Sequence, residues 1–223
     1  ANNGCGSSSP RSLDITVNPL PAITLDPAVA EACRGQNSAE LNYSGSSGSP
    51  DRYNITYSAA AIAQGFVNVN NSPLPATPVN LIVPVAAAAD DYDADLEVIN
   101  TTTGCQSDPF AITVTIHTPP VPVITGSDTA CAGNSVPYST DNGMSNYIWS
   151  ITPGSGSIIP PGNTYDAVIT WGDVTGQYED RVITVNYMDG NGCSATSATQ
   201  MTVRVFRVPE TGPSYHIPNQ HEL

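Results

Sequence analysis

Few residues of this 223-residue chain have side chains and spacings that could do chemistry, and its five cysteines are the most regular of them. Three of the cysteines follow a glycine in a similar turn and precede a run of alternating apolar residues. The intervals between them are about 100 and about 90 residues, which is the length of one small β-sandwich domain. The sequence therefore predicts a tandem array with a repeating last strand, marked by Asn3-Gly4-Cys5, Thr103-Gly104-Cys105 and Asn191-Gly192-Cys193.

Two further cysteines, Cys33 and Cys131, each come early in a complete repeat. Cysteines in a Pro-, Gly- and Ser-rich β chain are typical of an oxidising compartment, where disulfides persist. The repeat predicts one disulfide in each domain. The expected pairs are Cys33–Cys105 and Cys131–Cys193, and Cys5 is left unpaired or bonded to another unit. A metal site is the alternative, but the cysteines have neither C-x-x-C spacing nor neighbouring histidines.

Four aspartates close together are the best candidate for binding a small ligand. Hard cations such as Ca²⁺ take about six to eight oxygen ligands, of which several carboxylates could supply a part. The spacing departs from the common calcium-binding loop, because no glycine provides the sharp turn, and a solvated acidic loop is the alternative. The predicted calcium ligands are Asp90, Asp91, Asp93 and Asp95.

No arrangement of residues predicts catalysis. His117 is the single histidine inside the expected domains, and the sequence places no nucleophile beside it. The chain contains no G-x-S-x-G, no H-E-x-x-H and no glycine-rich phosphate loop. Glycan binding would need exposed aromatic side chains, whereas most tyrosines fall at inward or corner positions of strands. The chain is predicted not to be an enzyme, and a calcium- or glycan-binding module is the alternative to a purely structural role.

The charge of the chain excludes several classes of partner. The chain carries 20 acidic and 6 basic residues, a formal net charge of −14, and all the basic residues are arginines. Nucleic acids and anionic membrane surfaces bind clustered Lys and Arg, so neither is an expected partner. No apolar run approaches the roughly 20 residues that span a bilayer. An acidic, self-repelling surface is typical of a secreted or cell-surface protein.

Proline-rich hinges divide the chain into two complete domains. Asn18-Pro-Leu-Pro21 and Thr118-Pro-Pro-Val-Pro122 are stiff and extended, because proline fixes φ and biases its predecessor away from helix. The number of short strands between turn signals is that of an immunoglobulin-like sandwich, so the predicted fold is all-β. The predicted segments are residues 1–18 as the final strand of a preceding repeat or a donated strand, 19–118 and 119–207 as β-sandwich domains, and 208–223 as a linker or docking tail.

Local patterns place several residues within these domains. Residues 59–65 are the one helix-like patch, and a glycine ends it. Trp149 lies where an immunoglobulin-like domain packs an indole against its inter-sheet disulfide. Tyr92 and Tyr178 lie where a tyrosine ties down the corner between late strands. Residues 12–17 alternate polar and apolar, so one face of this predicted strand needs a partner sheet.

Several motifs of both domains are shared with a known family. In the second domain they are Cys131-Ala-Gly133, Tyr147-Ile-Trp149, residues 154–159, Val168-Ile-Thr-Trp-Gly172 and Asn191-Gly-Cys193. In the first domain they are residues 59–66, 74–78, 83–84, 93–98 and 102–105. Through these motifs, residues 1–207 resemble tandem PKD-like and related immunoglobulin-like repeats of large Bacteroidota cell-surface adhesins or gliding-type proteins.

This resemblance implies export through the type IX secretion system to the outer cell surface. It implies a non-catalytic stalk, adhesin or filament element, whose partners are neighbouring repeats, other copies of the chain or surface glycans. It also implies O-glycosylation of Thr129, since Asp128-Thr129-Ala130 matches the acidic, hydroxyl, small pattern modified in these bacteria. The alternative is that the domains are spacers of a larger secreted enzyme. An internal piece or a processed form is expected, because residues 208–223 contain no recognisable sorting domain.

Overall fold

The computed structural model describes residues 2–3, 6–7, 11–152, 156–159 and 163–209. The chain forms two units, Ala1–His117 and Thr118–Leu223, which are called domain 1 and domain 2 below. Nearly all of the regular structure is strand, and the units are immunoglobulin-like β-sandwiches, so the predicted all-β fold class is confirmed. Cys5, His216 and His221 lie outside the described residues.

Domain 1 consists, in its described part, of short strands and one short helix. In chain order the strands are β1 (Asn2–Asn3), β2 (Gly6–Ser7), β3 (Ala22–Leu25), β4 (Val29–Cys33), β5 (Ser38–Leu41), β6 (Tyr43–Ser47), β7 (Arg52–Tyr57), β8 (Val69–Pro73), β9 (Val79–Ile82), β10 (Asp91–Asn100), β11 (Cys105–Gln106) and β12 (Phe110–His117). Helix α1 (Ala59–Ala63) confirms the predicted helical patch, and Ser58 caps it by accepting a hydrogen bond from the Ala61 N–H. Within the described ranges, no helix has the length and apolar character needed to cross a membrane.

One larger sheet and two two-stranded ladders share the core of domain 1. The larger sheet has the order β4-β12-β10-β7-β8, with β11 paired to β10, and β4 runs parallel to β12. The ladders pair β3 with β6 and β5 with β9. Burial of the inward side chains stabilises the domain by about 25 cal/mol per Å² of apolar surface removed from water. The fully buried side chains include Leu41, Ile55, Val79, Leu96, Val98 and Val114.

Strand β10 includes most of the aspartates that were predicted to bind calcium. It begins at Asp91, so the aspartates expected on a loop before the strand lie mostly within it. Tyr92, Ala94 and Leu96 are buried, whereas the aspartates between them face solvent. This strict alternation is typical of a sheet with one face on the core and the other in water. The loop assignment was therefore wrong, although the sequence itself carries the strand pattern.

Domain 2 is a sandwich of two four-stranded sheets. Its strands in chain order are β13 (Thr125–Gly126), β14 (Thr129–Cys131), β15 (Ser135–Ser139), β16 (Ser145–Thr152), β17 (Gly156–Ile159), β18 (Asp166–Trp171), β19 (Tyr178–Met188) and β20 (Thr199–Phe206). One sheet has the order β13-β15-β18-β17 and the other β14-β20-β19-β16, with β14 parallel to β20. Trp171 is fully buried in the core, and its ring lies edge-on to that of Tyr138 at 6.2 Å.

The strand predicted at residues 12–17 does not form. Residues 11–20 lie outside any strand. Leu13, Ile15 and Val17 are all about four-fifths exposed. An apolar strand is stable only when it pairs with others and packs against a core, and these residues make neither kind of contact.

The aromatic residues placed by the sequence have mixed outcomes. Tyr92 is buried and its hydroxyl donates to the Ala88 carbonyl oxygen at 2.9 Å, so its corner role is confirmed. Tyr178 is about half exposed, so its corner role is wrong. Trp149 is buried, and its Nε1 donates to the Thr164 carbonyl oxygen at 3.0 Å. The disulfide that Trp149 was expected to cover is not formed, for the reason given below.

Candidate functional site

The C-terminal pole of domain 1, where its last strand ends, carries Cys33. This cysteine lies opposite His117, the last residue of β12, and the Arg34 N–H donates to the His117 carbonyl oxygen at 2.9 Å. The chain then turns at Gly35, whose φ of +94° suits glycine alone among common residues. The Gln36 N–H closes the turn by donating to the Cys33 carbonyl oxygen at 2.9 Å. These bonds hold Cys33 at the end of the sheet.

The C-terminal pole of domain 2 is built in the same way around Cys131. This cysteine lies opposite Phe206, the last residue of β20, and the Ala132 N–H donates to the Phe206 carbonyl oxygen at 2.9 Å. Gly133 has a φ of +80°, and the Asn134 N–H donates to the Cys131 carbonyl oxygen at 3.1 Å. The Cys-x-Gly sequences of the two domains are therefore equivalent turns.

The N-terminal pole of domain 1, where the chain enters its first strand, carries Cys105. This cysteine lies opposite Asn100 in the hairpin of β10 and β11, directly after Gly104. The Asn100 side-chain amide donates to the Gly48 carbonyl oxygen at 2.7 Å. Gly48 in turn lies so close to Pro21 that a Cβ would stand 2.8 Å from the proline Cα. The Cys105 hairpin is thereby fixed beside the segment that enters the domain.

The N-terminal pole of domain 2 carries Cys193 in the connection from β19 to β20. Its N–H donates to the Asp189 carboxylate at 2.8 Å, and the Asp189 N–H donates to the Cys193 carbonyl oxygen at 2.9 Å. Thr199, at the start of β20, donates its hydroxyl to the Pro122 carbonyl oxygen at 2.6 Å. That bond holds this end of the sheet beside the entering segment. Cys193 therefore occupies in domain 2 the place that Cys105 occupies in domain 1.

The predicted disulfide pairs are wrong, because each joins opposite poles of one domain. Cys33 and Cys193 are disulfide-bonded, whereas Cys105 and Cys131 are free thiols. The strand registers place Cys33 and Cys105 about eleven residues apart along the sheet of domain 1, or roughly 36 Å. The corresponding separation of Cys131 and Cys193 in domain 2 is also about eleven residues, or roughly 36 Å. A disulfide needs Cα atoms within about 7 Å of each other.

The predicted calcium ligands form a stripe on the outward face of β10 rather than a cluster. Asp91, Asp93 and Asp95 are exposed and follow one another at intervals of roughly 6.6 Å along the strand. The Thr115 hydroxyl donates to the Asp91 carboxylate at 2.7 Å, and the Thr113 hydroxyl donates to the Asp93 carboxylate at 3.1 Å. The neighbouring strand therefore contacts these carboxylates one at a time.

Asp90, the fourth candidate ligand, accepts a hydrogen bond from the backbone N–H of Asp91 at 2.9 Å. Across the described ranges, no three or more His, Cys, Asp or Glu side chains form a group that could hold a metal ion. Calcium takes about six to eight oxygens at roughly 2.3–2.6 Å, so carboxylates spread along a strand do not make one shell. The calcium site predicted from Asp90, Asp91, Asp93 and Asp95 is not assembled.

An exposed aromatic pair at the C-terminal pole of domain 2 was not predicted. Tyr178 and Phe206 lie opposite each other on β19 and β20, with ring centroids 6.1 Å apart. The Arg204 guanidinium lies 4.3 Å from the Tyr178 ring centre and donates two hydrogen bonds to the Asp180 carboxylate, at 2.8 and 3.0 Å. These hydrogen bonds lower the pKa of Asp180 and raise the pKa of Arg204. The sequence does not indicate this aromatic pair, because only the register of β19 and β20 places the two rings side by side.

His117 lies near an acidic side chain and opposite a disulfide-bonded cysteine. Its Nε2 lies 3.7 Å from a carboxylate oxygen of Glu31. The cysteine across the ladder, Cys33, is disulfide-bonded, and a sulfur in a disulfide is not a thiolate nucleophile. The one histidine of the described domains therefore has an acidic neighbour, and the cysteine across the ladder does not supply it with a thiolate.

Thr129, the predicted glycosylation site, is an exposed residue of β14. Its backbone N–H donates to the Ser127 hydroxyl at 3.2 Å. The Thr129 side chain is therefore on the surface, two residues before Cys131. Its modification stays a prediction.

The chain is similar to several solved structures at low sequence identity. No family model and no curated protein matches the chain. The human desmocollin-1 ectodomain is 15% identical with a TM-score of 0.41, covering 97% of this chain and 48% of that one. Drosophila N-cadherin EC1-4 is 13% identical with a TM-score of 0.30, covering 86% and 50%. SGBP-B of the Bacteroides ovatus mixed-linkage glucan utilization locus, in complex with a heptasaccharide, is 12% identical with a TM-score of 0.28, covering 84% and 48%.

This chain spans about half the length of each of these three structures. By its fold the chain is a tandem of immunoglobulin-like β-sandwiches.

Proposed function

We propose that the chain is a non-catalytic structural element of an extracellular array, in which successive β-sandwich repeats form a stalk or an adhesive filament. The observation that carries the proposal is the equivalence of the poles. Both domains have a Cys-x-Gly turn at the C-terminal pole and a Gly-Cys turn at the N-terminal pole. A unit with two fixed and different ends is suited to repetition in series.

Two chemical properties support an extracellular location. Cys33 and Cys193 are disulfide-bonded, and disulfide bonding persists in an oxidising compartment, whereas cytosolic thiols are kept reduced. A net charge of −14 keeps copies soluble and apart from anionic surfaces. The resemblance of residues 1–207 to Bacteroidota surface repeats adds a route, export by the type IX secretion system.

Immunogold labelling of intact cells that make the protein tests this role. Antibodies raised against the folded chain should decorate structures outside the cell without permeabilisation, and brief external proteolysis should remove the label. An antibody against a cytoplasmic protein serves as the control for cell integrity. Labelling that requires permeabilisation would contradict the proposal.

A glycan-binding role is the second candidate, and the exposed Tyr178–Phe206 pair favours it. Sugar rings stack on exposed aromatic faces, and their hydroxyls donate to and accept from polar neighbours. Here the Arg204 guanidinium, a donor, and the Asp180 carboxylate, an acceptor, lie beside the Tyr178–Phe206 pair. Affinity electrophoresis in gels containing soluble β-glucans or other polysaccharides tests this role. Retardation that is lost in Tyr178→Ala but kept in Tyr165→Ala, another exposed tyrosine of domain 2, would support it. Equal mobility of all three proteins in every gel would exclude it.

A further inference from the structure

We propose that Cys131 of one copy of the chain and Cys105 of a second copy form a disulfide that joins the copies head to tail. The proposal rests on the structural role given above and adds the chemistry of the joint. The partner is a second copy of this chain, whose domain 1 presents its N-terminal pole to the C-terminal pole of domain 2.

The first observation is that each free thiol has a bonded equivalent. Cys131 occupies the same turn as Cys33, and Cys105 occupies the same place as Cys193. Cys33 and Cys193 are disulfide-bonded, so a cysteine at either pole of this fold is able to form a disulfide. Cys131 and Cys105 are free thiols, and the cysteines expected to pair with them, Cys193 and Cys33, lie at the opposite poles of the same domains, more than about 30 Å away. A cysteine at the matching pole of another copy is therefore the candidate partner for each.

The second observation is the apolar surface around Cys131. This exposed cysteine pairs across the sheet with Phe206, and Phe206 pairs with Tyr178 on the next strand. The three side chains therefore lie side by side on the outward face of the sheet. Both rings are about two-fifths exposed or more, and Val208, just beyond β20, is more than half exposed. Exposed aromatic and aliphatic side chains gathered around one point indicate a surface that a protein partner covers.

A matching apolar segment leads to the other thiol. The chain entering domain 1 ends at Pro21, which lies against Gly48 beside the Cys105 hairpin. Every large apolar residue of this segment is more than half exposed, namely Leu13, Ile15, Val17 and Leu20. Contact between the two poles would bury both apolar surfaces around the disulfide. Because the joined surfaces differ, each added copy leaves one pole of each kind free, and the addition continues as a chain.

The joint forms by two successive thiol–disulfide exchanges with a small disulfide such as oxidised glutathione. The Cys131 thiolate attacks one glutathione sulfur, the glutathione S–S bond breaks, and one glutathione thiolate leaves. The Cys105 thiolate of the second copy then attacks the Cys131 sulfur and displaces the other glutathione thiolate. Two protein thiols have lost two electrons and two protons, and one oxidised glutathione has become two thiols.

The test uses the full chain carrying Cys5→Ser, so that Cys131 and Cys105 are the thiols under study. Samples are incubated with oxidised glutathione, quenched with iodoacetamide, and analysed on non-reducing gels and by peptide mapping. The parent should form a ladder of dimers and longer species. Cys131→Ser alone and Cys105→Ser alone should stay monomeric, whereas their equimolar mixture should form dimers and nothing longer. The dimer should contain the Cys131 peptide linked to the Cys105 peptide.

Three results would overturn the proposal: a mixture that stays monomeric, a single variant that dimerises alone, or only mixed disulfides with glutathione. Both variants should keep the parent's melting temperature, because Cys131 is exposed and Cys105 is only partly buried. Loss of the ladder in a protein still displayed on intact cells would refute the joint and leave the structural role standing.

Discussion

Arg181 is the one charged side chain buried in the core of domain 2, among the residues described, and its binding partners are mostly backbone. Its guanidinium donates to the carbonyl oxygens of Gly172 at 3.0 Å and Asp173 at 2.7 Å, and to the Glu179 carboxylate at 2.9 Å. Arg181→Met should lower the free energy of unfolding of domain 2 by about 3 kcal/mol, because it leaves these acceptors without a donor.

Urea unfolding followed by tryptophan fluorescence measures this loss, because both tryptophans, Trp149 and Trp171, lie in domain 2. Arg204→Met is the matched control. Arg204 also donates to a carboxylate but is exposed, so solvent replaces its hydrogen bonds and the loss should be much smaller. Equal losses in the two variants would show that burial does not set the contribution of Arg181.

Tyr57 makes the stability of domain 1 sensitive to high pH. Burial raises the pKa of its phenol to about 12, against about 10 in an unfolded chain. Below pH 10 both states hold the proton and the contribution is fully present. Between pH 10 and 12 the unfolded state releases the proton first, so stability falls with rising pH, by about 2–3 kcal/mol in all.

Tyr57→Phe should remove this part of the alkaline loss and leave the stability at pH 8 nearly unchanged, since no hydrogen bond to the Tyr57 hydroxyl holds it in the described structure. Urea unfolding followed by far-UV circular dichroism at pH 8, 10, 11 and 12 measures the free energy of unfolding of both proteins. Tryptophan fluorescence identifies the transition of domain 2, so that the transition of domain 1 can be assigned. A variant that loses as much stability as the parent above pH 10 would show that the loss comes from other groups.

At the scale of the element, β10 combines a buried face with a line of like charges. The stripe of Asp91, Asp93 and Asp95 should respond to cations by screening rather than by coordination. Calcium and magnesium chloride at equal ionic strength should therefore raise the melting temperature of domain 1 by the same amount. Asp93→Asn should reduce the rise, because it removes the middle charge.

Differential scanning calorimetry with added EDTA measures this response. Removing divalent cations at constant ionic strength should leave both transitions in place. Asp128→Asn is the control, because it removes one exposed charge from domain 2 and should not alter the salt response of domain 1. A shift that only calcium produces, and that Asp93→Asn abolishes, would show that the stripe does form a calcium site.

The elements also show what the sequence could predict. Period-two patterns identified most strands of both sandwiches, because one face of each strand packs against the core. The same pattern runs through Asp91–Asn100, so the sequence also specifies the extent of β10. The cysteine pairing was not readable in this way. It depends on β4 and β14 pairing parallel to the last strands, which carries Cys33 and Cys131 to the poles opposite Cys105 and Cys193.

Strand pairing likewise brings together residues that are distant in sequence, as Tyr178 and Phe206 show. No sequence pattern indicates that these two residues are paired. Their pairing depends on where the turn at Cys193 begins and ends, and that turn sets the register of β19 against β20. Conversely, residues 12–17 have the pattern of a strand and do not form one, since alternation specifies a face but not the partner that covers it. Composition and periodicity therefore predict elements, whereas sites on this molecule depend on register.

At the scale of the whole molecule, the net charge of −14 sets the rate at which copies meet. Two such chains repel each other over a Debye length of about 30 Å at 0.01 M salt but only about 8 Å at 0.15 M. The disulfide ladder in oxidised glutathione should therefore form faster as salt increases, on the order of tenfold between 0.01 and 0.5 M sodium chloride. Apolar contact between the poles is also strengthened rather than weakened by salt, so both effects act in the same direction.

Densitometry of quenched samples on non-reducing gels measures the rate. Labelling of Cys131 by an uncharged maleimide at the same salt concentrations is the control, and its rate should stay nearly constant because the reagent carries no charge. A ladder that forms faster at low salt would mean that the poles attract each other through complementary charged patches. In that case Arg204 and Arg207, which lie near the C-terminal pole of domain 2, become the residues to substitute first.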